Sequence, residues 1–406
     1  MANMTALDRC KQFGVANIRG MAYMPGPSDY TKTSQGLYEN SDFYNNIFFE
    51  LWSERSPNQG EEYGRRDLGR FSQQLGVNFI HCYDWAAPIT QKDQNGVPQT
   101  FLEHLTFLKL CNHYNMKATI PISNYTLQLL IKGATDAART NVERIIPEIY
   151  QSGSLVPGVG MWKIFNEFEL SEEGGGNPMH VVTAIRWLVE WEQRNNIADQ
   201  NKPPIMICTS FGVYDGIEGA GYFLQVRNAM FGQSGNIGPY TPEQLWNERI
   251  VFATNPQREG SAIGDYLSNR LPAYWRKYNI APSPVMFTEL GSSIEQAGNS
   301  EAGQAEWLTA QIAASKPGGS NGMMLGACIF LNEERRWEAG WEKTFGIMRI
   351  ESDTGWGWPK QNYQARTKFP VWDPNGWYWQ QEATYPVEQQ APKLNYRSVA
   401  KAWKQG

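Results

Sequence analysis

The 406-residue sequence predicts an α/β protein, a (β/α)8 TIM barrel with long loops after strands 1 and 8. Three observations carry that expectation. Eight short β-rich runs recur along the chain. Amphipathic stretches of helical period lie between them. The runs themselves are apolar almost without interruption, as parallel strands covered by helices must be. A doubly wound sheet shares the alternation, but no glycine-rich phosphate loop follows the first run. The whole chain, 1–406, is expected to form one domain of this kind.

In order, the runs are ANIRGMAY (16–23), VNFIHCYDW (77–85), KATIPIS (117–123) and MWKIFNE (161–167). PIMICTS (204–210), RIVFAT (249–254), PVMFTEL (284–290) and GACIFLN (326–332) follow. Between them, RRDLGRFSQQLG (65–76) puts Leu68, Phe71 and Leu75 on one stripe, with Gly76 placed to end the helix. TFLEHLTFLKLCNHY (100–114) gathers Leu102, Leu105, Leu108 and Leu110 largely on one side. Segments 180–196 and 301–316 behave alike, and 396–405 reads as the last helix.

Two insertions break the rhythm, 24–64 after strand 1 and 333–395 after strand 8. Both follow the C-terminal ends of strands, the face on which barrels carry their chemistry. Seven of the 16 Trp fall between 337 and 379, in a stretch that reads as loop. Some of these rings are expected to line a cleft.

Composition excludes several classes. Hydrophobic residues make up 41% and charged residues 19%, enough apolar mass for a large core. The net charge of −5 and the absence of a basic run argue against nucleic acid as a partner. No run of 18 apolar residues occurs, so no membrane span is expected. The five cysteines are widely spaced with no CxxC, which indicates neither a zinc site nor a disulfide framework. Cys82, Cys208 and Cys328 lie in apolar runs and are expected to be inert core thiols in a reducing compartment. The segment MANMTALDRCKQFG lacks an apolar signal-peptide core, so a cytoplasmic or non-classically exported protein is expected unless a leader has been removed. The four histidines have no ligand-pair spacing, and SFG (210–212) is no nucleophile elbow. No cofactor or metal is expected.

The chemistry rests on carboxylates. Glu167 ends the fourth run and Glu289 the seventh, and a barrel can bring two such strand ends to one mouth. Two carboxyl groups roughly 5 Å apart, one protonated and one ionised, are what glycosidic bond cleavage with retention needs. Asn247-Glu248 lies on a solvent-facing helical stretch, whereas Asn332-Glu333 also ends an apolar strand and competes with Asn166-Glu167 for the acid/base role. Glu333 is otherwise expected beside the site as a binding residue.

Asn-Glu after strand 4 and Glu after strand 7 resemble the clan A retaining glycoside hydrolases. Within that clan, GMAYMPG (20–26) and DLGRFSQQLGVNFIHCYDW (67–85) are most similar to β-1,3-glucanosyltransferases and β-1,3-glucanases. The resemblance implies Glu167 as acid/base, Asn166 on the sugar 2-hydroxyl and Glu289 as nucleophile. It also implies a Tyr near the end of strand 6 touching the nucleophile; FATNPQREG stands there instead, with Asn255 at that place and Tyr266 too far along. Arg19, a charge inside strand 1, is expected to orient Glu289 or pair with a structural acid. Tyr83, Asp84 and Trp85 offer a phenol, a carboxylate and a stacking face, and Tyr23 and Trp337 are expected to stack on sugar. The reading is a retaining β-glycosidase or transglycosidase acting on an oligo- or polysaccharide. The alternative is an inactive barrel that binds a glycan or a protein.

Overall fold

The computed structural model describes residues 4–24, 66–85, 90–92, 98–100, 104–170, 175–334, 340–350, 364–367, 370–373, 376–379, 383–386 and 390–404. Eight parallel strands close into a barrel: β1 (Ile18–Ala22), β2 (Phe79–His81), β3 (Lys117–Ile122), β4 (Val159–Ile164), β5 (Ile205–Thr209), β6 (Ile250–Thr254), β7 (Val285–Leu290) and β8 (Met324–Ile329). Neighbours in space are neighbours in sequence, and β8 closes the ring by pairing Ala327 with Arg19 of β1. All eight predicted runs are strands, so the barrel expectation holds.

Alternate residues fill the interior. Ile18, Phe79, Met161, Met206, Val251 and Met286 pack together inside the ring. Burying each such side chain stabilises the fold by roughly 1.5–3 kcal/mol. Gly20 has no side chain because there is no room for one: a Cβ there would lie 2.2 Å from Cys328 Sγ. The other face of each strand meets helices, including His104–His113, Pro178–Arg194, Glu301–Ala314 and Leu394–Lys404. The helix begun at Asp67–Arg70 continues as one π turn, Phe71–Leu75, and Gly76 ends it in the left-handed region at φ 74°.

Predicted loop 24–64 lies almost wholly outside the described residues, as does Trp337. The insertion after β8 is not plain loop. Met348–Ile350 pairs antiparallel with Gln390–Pro392, and two further antiparallel pairs join Gln364–Thr367 to Ala383–Pro386 and Pro370–Asp373 to Gly376–Trp379. Among the described residues, no helix is long and apolar enough to cross a membrane.

Candidate active site

Glu167 and Glu289 meet at the C-terminal mouth of the barrel, but they arrive differently. Glu289 is the fifth residue of β7 and 6% exposed. Glu167 lies three residues past the end of β4, not within the strand as the sequence suggests. The backbone there is unusual: Phe165 (φ 58°) and Glu167 (φ 46°) are both left-handed. Neither residue type favours that region, and each such position costs on the order of 1–3 kcal/mol. Asn166 between them is pinned by Asn124, whose Oδ1 accepts from the Asn166 N–H at 2.7 Å and whose Nδ2 donates to its carbonyl at 2.9 Å. The strained turn presents Glu167 to the cleft, half-buried.

Each carboxylate has a polar neighbour holding it. The Tyr83 hydroxyl donates to Glu289 Oε1 at 2.8 Å. Asn255 Nδ2 donates to Glu167 Oε1 at 2.8 Å, while its own Oδ1 accepts from Thr288, the residue before Glu289. Asn255 thus links the two acids through a buried amide. Cys208 lies under this network, 3.5 Å from Asn166 Oδ1 and 3.3 Å from Thr288 Oγ1. Burial pushes its thiol up to about 12, so it remains a neutral packing group, as expected of it.

Beneath the acids lies Lys163, fully buried on β4. Its Nζ is 3.0 Å from His81 Nε2, donates to the Cys82 carbonyl at 3.4 Å, and sits 4.4 Å from the centre of the Tyr83 ring. Burial lowers the lysine, and burial together with that ammonium drives His81 well below its ordinary value. His81 is therefore neutral. Burial raises Glu167, and burial with the charge of Glu167 pushes Glu289 up to about 8; Lys163 pulls both down. The paired burial therefore keeps a proton on these two acids at neutral pH.

Several expected site residues stand elsewhere. Tyr23 is fully buried, packed edge-on against Phe71 with its hydroxyl donating to Asp67 at 2.8 Å, so it offers no face to sugar. Trp85 is likewise fully buried, stacked on the His104 ring at 3.8 Å and donating to Glu148 at 3.3 Å. Asp84, 6% exposed, accepts from the Trp85 N–H at 2.8 Å, and burial raises it to about 6. Arg19 does not reach Glu289: it points out of the barrel and donates to the Trp403 carbonyl at 3.1 Å. Strand parity explains this, since Ile18 and Gly20 on either side of it face inward. Glu333 is buried and accepts from Gln390, while Asn332 accepts from Arg70. That Asn-Glu pair sits in a polar network with Asp67 and Arg70.

Four side chains of the site carry no motif in the sequence: Lys163, Asn124, Thr288 and Glu169. Lys163 carried the same signal as Arg19, a charge within an apolar run. Glu169, two residues past Glu167, accepts from the Ser210 N–H at 2.6 Å and is raised by burial. Among the described residues, no cluster of three His, Cys, Asp or Glu is arranged to hold a metal.

No family model matches the chain, and no curated protein matches it. Among solved structures it is similar to CJP38, a β-1,3-glucanase and allergen of Cryptomeria japonica pollen, at 11% identity and TM-score 0.46, over 70% of this chain and 90% of that one. A β-glucosidase from Thermotoga maritima in complex with deoxynojirimycin aligns at 13% identity and TM-score 0.44, covering 83% and 93%. A β-glucosidase from Exiguobacterium marinum aligns at 14% and 0.40, covering 84% and 92%. At this level the likeness extends to the barrel alone.

Proposed function

We propose that this chain is a retaining β-glycoside hydrolase or transglycosidase, with Glu167 as acid/base and Glu289 as nucleophile. The observation that carries the reading is the pairing at the barrel mouth. Glu167, on the turn after β4, and Glu289 of β7 share one cleft, close enough for the charge of one to raise the other, each with its own hydrogen-bond donor. In the reaction, Glu167 gives its proton to the leaving oxygen while a Glu289 oxygen attacks the anomeric carbon. The glycosidic bond breaks and a glycosyl ester forms. Glu167, now ionised, then takes a proton from water or from an acceptor hydroxyl, which displaces Glu289 with a second inversion. Water gives hydrolysis and sugar gives transglycosylation. The single proton held by the pair is the one this cycle requires. Tyr83 and Lys163 favour the ionised form of Glu289, and burial favours the protonated form of Glu167. The substrate is a β-linked oligo- or polysaccharide.

The test uses aryl β-glycosides and β-glucan oligosaccharides, read for released or lengthened sugars. Glu167→Gln and Glu289→Gln should each abolish nearly all turnover while sugar binding persists. NMR of the first-formed product should show the β anomer. Absence of turnover with every substrate, with glycan binding retained, would instead support an inactive binding barrel. Asn255, standing where the resemblance implies a tyrosine, favours that second reading.

A further inference from the structure

Arg19 raises a separate question once it is turned away from the acids. A guanidinium set between a strand and its covering helices is costly without an anionic partner. Arg19 Nη1 spends one hydrogen on the Trp403 carbonyl, and its buried Nε has no hydrogen-bond partner. Among the described residues, it forms no ion pair, and neither does Lys316.

Both cations line one cavity of about 320 Å³ on the outside of the barrel. Asn17 joins them on the polar side, and Ile312, Ala402 and Trp403 supply an apolar wall. Among the described residues, the lining contains no Asp or Glu. The volume falls at the small end of the range for ligand sites, roughly 300–1,000 Å³. We propose that this cavity, between β1 and the helices Glu301–Ala314 and Leu394–Lys404, binds a small organic anion, a phosphate monoester or carboxylate carried on an apolar ring. The anionic head takes the remaining Nη N–H groups of Arg19, and Lys316 adds a second positive charge. The ring lies against Ile312, Ala402 and Trp403. Lys316 and Pro317 belong to the connection that precedes β8, so the cavity sits toward the N-terminal ends of the strands, away from Glu167 and Glu289. Its occupant does not compete with sugar, and the site stands whether or not the barrel is a glycosidase.

The test is calorimetric titration of phenyl phosphate into the full chain, with benzyl alcohol as the uncharged comparator. One saturable site is expected for phenyl phosphate and none for benzyl alcohol. Added salt should weaken the binding. Arg19→Met should weaken it about tenfold or more, the loss of one charged hydrogen-bonding partner, and Lys316→Met should weaken it less. Glu289→Gln should leave it unchanged. Arg19→Met removes an uncompensated charge, so its melting temperature should not fall; if it fails to fold, the exposed Lys316→Met decides. Absence of a saturable site, equal affinity in both variants, or loss of binding in Glu289→Gln would overturn the proposal, the last by placing the ligand in the sugar cleft.

Discussion

Tyr83 meets Glu289 from the end of β2, where the resemblance to clan A places a tyrosine on β6. The phenol donates to Glu289 Oε1 and so favours the charged form of that carboxylate. Phe at this position keeps the ring packing against His81 and loses that donor. Tyr83→Phe should therefore fold as the parent does and lose about 10²-fold in kcat, the range seen when one preorganised donor is removed. Lys163 works from beneath. The groups facing it are His81, Cys82 and Tyr83 from the β2 side, Cys208 of β5, Glu167, Glu289 of β7 and Cys328 of β8. It is the cation of this set, and it lowers both acids. Lys163→Met removes that attraction, so Glu289 should ionise only at higher pH. The acidic limb of the kcat/KM profile should move upward, and Lys163→Arg should move it back. An unshifted limb would reduce Lys163 to packing.

At the scale of elements, the strands were legible and the turns after them were not. Eight apolar runs announce β1 to β8 because a parallel barrel strand is buried on both faces. Parity is the missing information: Arg19 and Lys163 are both charges in apolar strands, yet one faces helices and the other the barrel interior. The phase of a continuous apolar run does not tell them apart. The turn carrying Glu167 was misplaced for a similar reason, since its left-handed residues are Phe and Glu rather than Gly. The β pairs after β8 did carry a signal, in the runs FPVWD and GWYW around a Pro-Asn step, which the crowding of tryptophans obscured. That insertion also brings Trp341, 52% exposed, next to the 3-10 turn Glu342–Thr344. Phe345, directly after this turn, packs on Phe330, which in turn packs on Tyr83, so the turn borders the cleft. An exposed indole there suits the C–H face of a sugar. Trp341→Ala should raise KM several-fold with kcat nearly unchanged, because stacking away from the reacting bond is made equally in ground and transition states. A fall in kcat instead would place the ring at the reacting sugar.

For the whole molecule, the cleft is a cost built into the fold. Buried Arg249, by contrast, meets buried Glu192 with Nη2 to Oε1 at 3.1 Å. At the mouth it buries two acids side by side against one lysine. Burial and the charge of Glu167 push Glu289 up to about 8 in the folded state, against 4.5 for the free side chain. Its folded pKa is raised, so between those values the folded state binds the proton more tightly than the unfolded state. The stability this contributes is fully present below about pH 4.5 and is lost as pH rises through about 8. Wild-type melting temperature should therefore decline across that window by more than the surface charges dictate. Glu289→Gln carries no ionisable group there and should flatten the decline. The variant should melt close to wild type near pH 4 and clearly above it near pH 9, measured by calorimetry at both ends. Parallel curves at all pH values would mean that Glu289 ionises freely, and the buried-pair account of the mouth would fail with it.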